Sequence, residues 1–380
     1  MDNLSYREKI DEIDKQLVKL FSDRMQVCAE IAGYKKENGL PVLDARRERE
    51  KMSMVIEQTP EALRDYTPIL YSLIMELSRG YQNRLLGTEN KLIEKIKNAI
   101  DNTPKLFPEA GVVACQGIEG ANSQFACDKL FRNASIMYFS GFEAVFSAIE
   151  KGLCRYGVIP VENSTAGSVN TVYDLMMKHH FYIVRSIRLK IDHNLLVKPG
   201  VRLEDIREIY SHEQALTQCS EFLGTLKNVR VIPCENTAVA AKTVAESGRT
   251  DIAALASLPC MKLYGLEALK ESVQNTNNNY TRFICIAKEP EIYPGADRTS
   301  LMLTLPHEQG SLYKFLSKLN ALGINLNKLE SRPLPNREFE FMFYFDLDTP
   351  VYSPRLLQLF GELPASCESF HYLGSYSEVF

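Results

Sequence analysis

The sequence predicts a multi-domain protein with an all-α N-terminal piece, an α/β middle piece and an α+β C-terminal piece. Three observations lead there. Residues 7–36 repeat apolar side chains at the three-and-four spacing of an amphipathic helix. Residues 110–288 alternate short apolar runs with helical patterns, which means α/β layering. Residues 297–380 read strand, helix, strand, strand, helix, strand. A length of 380 residues is itself too great for one typical domain.

Composition narrows the function classes. With 45% hydrophobic and 24% charged residues the chain reads as an ordinary globular protein. A net charge of −4 gives no reason to expect nucleic acid as a partner. No apolar run approaches the roughly 18–20 residues of a membrane span, so no membrane partner is expected. The start, MDNLSYREKIDEID, lacks the basic-then-apolar order of a signal peptide. Nine scattered cysteines without a C-x-x-C pair predict reduced thiols and a cytoplasmic location. The histidines show no metal-ligand spacing, so no metal is expected.

In the N-terminal piece, Ile10, Ile13, Leu17, Leu20, Val27 and Ile31 form the helical stripe. Leu17, Arg24 and Ile31 are spaced by seven, so Arg24 falls on that stripe. Lys35 follows eleven residues later, at about 100° per residue in almost the same direction. Two cations there are costly unless something anionic meets them, and a dianionic ligand is one such partner. Gly39-Leu40-Pro41 ends the helix, and Asp44 is placed to cap a second, ARREREKMSMVIEQ. Arg47 and Glu48 lie in that charged run, where a solvated face is the bland reading. A third helix is expected from about Pro68 to Leu86, with Ser78 and Gln82 sharing a face. Such a long first helix cannot bury its stripe alone; an intertwined helical dimer solves this. Arg7, about 260° around the helix from Arg24, points away from its own site and toward a partner's. Residues 89–108 read as a helix-plus-linker.

In the middle piece GVVAC, YGVIPV, REIYS, VRVIPC, DIAAL and FICIA read as buried strands. FEAVFSAIEKG, ALTQCSEFLGTL and TAVAAKTVAESG read as helices. Three polar clusters fall where loops leave strand ends, the usual ligand position in such sheets. VENSTAGSVNT holds Asn163, Ser164, Thr165 and Ser168; YSHEQALTQC holds Ser211, His212 and Gln218; NNNYTRF holds Thr281 and Arg282. Each alone could be a turn or a helix cap; together their hydroxyls, amides and one arginine suit an anionic ligand. In the C-terminal piece TSLMLTLP, NLNKLESRP, EFEFMFYFDLD and a run around HYLGSY are strands. GSLYKFLSKLNALG and LLQLFGEL are helices, and the order is that of a ferredoxin-like sandwich.

The pattern Arg7, Arg24, Lys35, Asp44, Arg47, Glu48, Ser78 and Gln82 resembles the all-helical chorismate mutases. The resemblance implies rearrangement of chorismate to prephenate, a pericyclic step that needs no nucleophile, metal or cofactor, only a held conformer and a stabilised ether oxygen. It gives carboxylate binding to Arg24 and the partner's copy of Arg7. Lys35 and Gln82 would donate to the ether oxygen, Glu48 would meet the ring hydroxyl, and Arg47, Asp44 and Ser78 would complete the pocket. The motifs ENSTAGS, SH-x-Q with the later QC, and TRF resemble prephenate dehydratase, whose domain has two subdomains like those of periplasmic binding proteins. That implies loss of water and carbon dioxide from prephenate to give phenylpyruvate. Thr281 would assist departure of the hydroxyl. Asn163, Ser164, Ser168, Ser211 and Gln218 would bind substrate, and Arg282 would bind a carboxylate. Asn122 stands where that family usually has an aromatic residue, and Glu213 where it has proline. EQGSLYKFL and ESRPLP resemble the phenylalanine-sensing ACT domain. Its effector would lie between Gly310, Ser311 and Leu312 of one chain and Glu330, Ser331, Arg332 and Pro333 of another. Ser311 stands where alanine is usual.

The whole chain thus resembles bifunctional chorismate mutase–prephenate dehydratases of phenylalanine synthesis. Expected divisions are 1–88 mutase, 89–108 linker, 109–288 dehydratase and 297–380 regulatory domain. Expected partners are chorismate, prephenate, phenylalanine as effector, and further copies of the chain in a dimer or tetramer. Two rivals are a prephenate or arogenate dehydratase whose helical domain only dimerises, and a non-catalytic amino-acid sensor. Intact Arg24, Lys35, Glu48 and Gln82 argue against the first; intact Thr281, Asn163 and Gln218 against the second.

Overall fold

The structure, a computed structural model, describes residues 3–86, 91–334 and 340–380. The expected division at residue 88, Pro335 of ESRPLP and the start of the EFEFMFYFDLD strand lie outside the described residues. The chain opens with helices α1 (Asn3–Glu37), α2 (Ala45–Gln58), α3 (Thr67–Leu86) and α4 (Lys91–Asn102). As expected, α1 stops just before Gly39, which takes a positive φ of 63°. Asp44 caps α2, its carboxylate accepting the Arg47 backbone N–H at 2.9 Å.

Within one chain, the stripe of α1 stays open to solvent. Ile10, Ile13, Leu17 and Leu20 are 56%, 55%, 56% and 63% exposed. Fully burying each such side chain would contribute about 1.5–3 kcal/mol. Helix α4 occupies most of the segment read as helix-plus-linker. Its Ile96 and Ala99 are buried in the core of the C-terminal unit, beside Leu356, Leu359 and Phe360.

The middle region runs β1 (Ala110–Gln116), α5 (Asn122–Leu130), β2 (Asn133–Phe139), α6 (Phe142–Glu150), β3 (Tyr156–Asn163), β4 (Gly167–Ser168), α7 (Asn170–His179) and β5 (Tyr182–Lys190). It continues with β6 (Asn194–Val197), β7 (Glu208–His212), α8 (Glu213–Gln218), α9 (Ser220–Gly224), β8 (Arg230–Cys234), α10 (Thr237–Glu246), β9 (Ile252–Ala256), α11 (Leu258–Tyr264), β10 (Glu267–Lys270) and β11 (Tyr280–Ala287). All six expected strands are present. The expected helix 215–226 is divided into α8 and α9 at Cys219. Two sheets result: a seven-stranded one containing β1–β5 and β11, and a five-stranded one ordered β10-β6-β9-β7-β8. The backbone crosses between them twice, after β5 and before β11, and the two crossings pair: Val273 N–H donates to the His193 carbonyl at 2.8 Å.

The C-terminal unit follows as β12 (Arg298–Thr304), α12 (Ser311–Ala321), β13 (Asn325–Pro333), β14 (Phe341–Asp348), α13 (Pro354–Ser366) and β15 (Ser369–Tyr376). Its antiparallel sheet is ordered β13-β14-β12-β15. A last strand, β16 (Glu378–Val379), leaves this unit and pairs in parallel with Ser186 and Ile187 of β5. The chain passes so close over β5 that a Cβ at Gly374, where φ is 136°, would collide with the Ile183 carbonyl. The C-terminal unit is thereby stitched into the seven-stranded sheet.

Candidate active sites

In the helical unit, Arg24 donates to the hydroxyl of Ser78. Ser78 and Gln82 are buried on α3, and Gln82 Oε1 has no partner among the described residues. Lys35 reaches the Val42 carbonyl in the turn before α2. Glu48 is paired with Arg79 at 2.5 Å. Sequence reasoning missed Arg79, whose signal is its place next to Ser78 and three residues before Gln82. Glu48 and Arg79 also line a cavity of about 430 Å³ shared with Ser311 and Lys314. Asp44 is engaged as a helix cap, and Arg47 is exposed beside Glu50 at 3.6 Å. Arg7 is exposed on α1. It lies seventeen residues from Arg24, about 25 Å along the helix axis, beyond the reach of the Arg24 site in the same chain.

The second site is a cleft of about 300 Å³ between the two sheets of the middle region. Asn163 ends β3 and Thr281 lies directly across from it on β11. The tight turn after β3 fixes the Asn163 amide, because its Oδ1 accepts the backbone N–H groups of Thr165 (3.1 Å) and Ala166 (2.9 Å). Its Nδ2 must then point the other way, and it donates to Thr281 Oγ1 at 2.9 Å. With its oxygen accepting that bond, the Thr281 hydroxyl keeps its own proton free to donate elsewhere.

Gln218 joins this network from α8. It faces Asn279 Nδ2 at 3.1 Å and His193 Nε2 at 2.9 Å. Burial holds the His193 imidazole below its usual value, while the Gln218 bond opposes that shift. His193, Asn279, His212 and Gln214 all line the cleft. Sequence reasoning gave none of them a substrate role. His193 and Asn279 sit in or beside the crossings, where no periodicity marks them.

The cleft lining contains no Lys or Arg among the described residues. Its one carboxylate among those residues is Glu235, and the positive ends of helix dipoles are what the lining can offer an anion. Residues 122–123 open α5, whose N-cap Ala121 offers no side-chain acceptor to the first turn, and Asn236 and Thr237 open α10. Asn236 caps α10 through Oδ1, and its buried Nδ2 has no partner among the described residues. Asn122 lines this wall. Glu213 is exposed in the first turn of α8, where an acid is as compatible with a helix start as proline is.

Four expected cleft residues, Arg282, Ser168, Ser211 and Ser164, are not in its lining. Arg282 is the main correction: as the neighbour of Thr281 in a strand it points to the opposite face. It is 3% exposed, paired with Asp346 at 2.5 Å, 2.9 Å from Glu378, and bonded to the Tyr376 hydroxyl at 3.0 Å. Ser168 meets Glu330 and Lys328 of β13. Ser211 is buried and donates to the Leu255 carbonyl at 2.7 Å; the N-cap of α8 is His212. Ser164 ties the turn after β3 to the segment before β11, donating to the Asn278 carbonyl at 2.7 Å.

At the expected effector turn, Gly310 has φ of 81° and caps α12 without a side chain. Ser311 and Leu312 line a cavity of about 360 Å³ with Pro306, His307, Phe341 and Phe343. Glu330, Ser331, Arg332 and Pro333 do not line it in the same chain. They lie on edge strand β13, with Arg332 bidentate to Asp174 of α7 at 2.9 Å.

The chorismate mutase type II family matches residues 6–83 and the prephenate dehydratase family residues 113–291. A bifunctional chorismate mutase/prephenate dehydratase of Enterobacter agglomerans is 30% identical over 98% of this chain and 95% of that protein. An arogenate dehydratase/prephenate dehydratase of Arabidopsis thaliana is 38% identical over 70% of this chain and 71% of that protein. The crystal structure of an Arthrobacter aurescens prephenate dehydratase, in complex with L-Phe, matches 70% of this chain and 89% of that one at 25% identity and a TM-score of 0.65. Two family matches in this order, and a relative aligned almost end to end, mean that this chain belongs to the bifunctional chorismate mutase/prephenate dehydratases.

Proposed function

We propose the following division of labour for the two reactions. Chorismate is held at the helical site by Arg24 and by Arg7 of a second chain. Lys35 and Gln82 donate to the ether oxygen as its bond breaks, and Glu48, held by Arg79, meets the ring hydroxyl. Arg47, Asp44 and Ser78 serve the pocket around them, Asp44 by holding the start of α2. The open stripe of α1 and the 25 Å scale of the Arg7–Arg24 separation along the helix, about 1.5 Å per residue, support an intertwined dimer. Further pairing through the C-terminal unit would make a tetramer.

Prephenate then occupies the cleft between the sheets. Its ring carboxylate leaves as carbon dioxide, the electron pair of that bond aromatises the ring, and the ring hydroxyl departs and becomes water. The observation that carries this reading is the direction of the Asn163–Thr281 bond. It leaves the Thr281 proton available to the departing hydroxyl. Asn163 and Gln218 orient the substrate, and the backbone N–H groups opening α5 and α10 meet carboxylate charge in place of Arg282. Thr281→Val keeps the shape and removes the hydroxyl. Dehydratase kcat should fall by about 10²-fold or more, while a near-normal rate would remove Thr281 from the role.

The C-terminal βαββαβ unit is read as a ferredoxin-like ACT domain that binds phenylalanine at Gly310, Ser311 and Leu312. The 330–333 segment of another chain would complete the site. Support comes from the cavity at that turn and from the L-Phe in the Arthrobacter aurescens structure. The working divisions remain 1–88, 89–108, 109–288 and 297–380, with α4 serving the C-terminal core. A cytoplasmic location fits the unpaired cysteines. No helix among the described residues is long and apolar enough to cross a membrane. Arogenate is the second candidate for the cleft, on the strength of the Arabidopsis thaliana relative.

A further inference from the structure

We infer that His193 is a positioning residue of the dehydratase site, locked in its Nε2–H form, which holds the Gln218 amide in the one orientation the Asn163–Thr281 pair requires. The inference rests on the reading of the cleft as the dehydratase site.

Two groups beside Asn163 have a fixed polarity. Backbone N–H groups can only donate, and those of Thr165 and Ala166 both point at one atom of the Asn163 amide. That atom is therefore the oxygen. Asn163 Nδ2 is then the donor to Asn279 Oδ1 at 2.8 Å, as well as to Thr281. With its oxygen facing Asn163, Asn279 presents Nδ2 to Gln218, so the Gln218 atom that meets it at 3.1 Å is Oε1. That same Oε1 lies 2.9 Å from His193 Nε2. Only a protonated Nε2 makes a bond there, so polarity propagates from two backbone N–H groups to the tautomer of one histidine. Gln218 Nε2 is left facing Thr165 Oγ1. A flipped Gln218 would set its NH₂ against the Asn279 Nδ2 donor.

The histidine is built to do this. It is 4% exposed. Its backbone N–H donates to Gln274 Oε1 at 2.9 Å, and Gln274 is in turn tied to Asp192 at 2.8 Å. Its carbonyl accepts the Val273 N–H. His193 is thus fixed where the two crossings pair, and it ties the cleft amides to those crossings. Protonation leaves the Nε2 donor in place, so the role differs from that of a titrating acid or base.

The test uses the 380-residue chain, with the urea-unfolding midpoint of each variant as the measure of folding. His193→Phe removes the donor. His193→Gln puts an amide nitrogen near the former Nε2 position. Loss of one positioned hydrogen bond predicts that dehydratase kcat/KM falls about tenfold in the Phe variant and recovers to within about threefold in the Gln variant. In a Gln218→Met background, His193→Phe should add less than about twofold, because its only route is gone. The acid limb of the pH–rate profile should be the same in parent and His193→Gln protein. Nitrogen-15 NMR of histidine-labelled protein should show His193 as the Nε2–H tautomer. Equal loss in the Phe and Gln variants, full additivity with Gln218→Met, or an Nδ1–H tautomer would each overturn the inference. A parent protein with mutase but no dehydratase activity would instead sink the reading of the cleft, and His193 with it, even if the NMR tautomer stood.

Discussion

Replacing Arg282 by methionine separates the structural reading of that residue from the one its motif suggests. The guanidinium is buried between the seven-stranded sheet and the C-terminal unit, and its side chain is 3% exposed. Asp346 is fully buried and Glu378 is 2% exposed. Removing the cation leaves the Asp346 charge with hydrogen bonds from Ser300 at 2.9 Å and Tyr376 at 3.1 Å, but no ion-pair partner among the described residues. Glu378 fares better, since Arg188 at 2.8 Å and Arg298 at 3.2 Å remain. Breaking a buried pair on one side typically costs about 3–5 kcal/mol, and the retained bonds point to the lower end, about 3 kcal/mol. Against a total stability of about 5–15 kcal/mol this should appear clearly in urea unfolding. Adding Asp346→Leu removes the stranded charge, and the double variant should recover most of the loss. Dehydratase KM in the folded variants should stay within a few-fold of the parent. A stable Arg282→Met protein with a large rise in KM for prephenate would refute this reasoning and return Arg282 to the substrate.

Three more outcomes follow from the same geometry. Arg7→Ala and Arg24→Ala should each abolish mutase activity, and subunit exchange between them should restore part of it, because one site of a hybrid dimer keeps both arginines; no recovery with exchange demonstrated would exclude a shared site. Gly310→Val places a side chain at an open position with φ of 81°, so it should relieve phenylalanine inhibition of the dehydratase without lowering the uninhibited rate; an inhibition curve unchanged from the parent would put the effector elsewhere. His371 stacks on His180 at 4.1 Å, and burial first, then the neighbouring imidazole, hold it below the usual value of 6.5. The unfolded chain therefore takes up the proton first as pH falls. Stability from this pair is present above about pH 6.5 and lost as pH drops through the folded value, so Tm should fall between pH 7 and 5, and His371→Phe should flatten that slope. An unchanged slope would mean the pair does not carry it.

Much of this was legible in the residues because it is local. Asp44 caps α2 three residues before its bonded N–H, and NLNKLESRP is the whole of β13. Asn163 and Thr281 were visible as motif residues, and their strands bring them face to face. Arg282 was misread because a motif is one-dimensional: adjacent strand residues face opposite ways. Its partner Asp346 lies 64 residues further on in another unit. Strand β5 escaped notice because YIVRSIRLK interleaves polar residues instead of running apolar. His193 and Asn279 carry no periodic signal, and only folding the two crossings together reveals what they hold.

The central claim is that one chain performs two successive reactions at two separate sites. The most direct measurement follows prephenate and phenylpyruvate after chorismate is added to the parent, Lys35→Ala and Thr281→Val proteins. The parent should carry chorismate through prephenate to phenylpyruvate. Lys35→Ala should lose about 10²–10³-fold in rearrangement yet still convert added prephenate, as removal of one donor to a developing oxyanion predicts. Thr281→Val should accumulate prephenate. Loss of both reactions together in either folded variant would contradict the account.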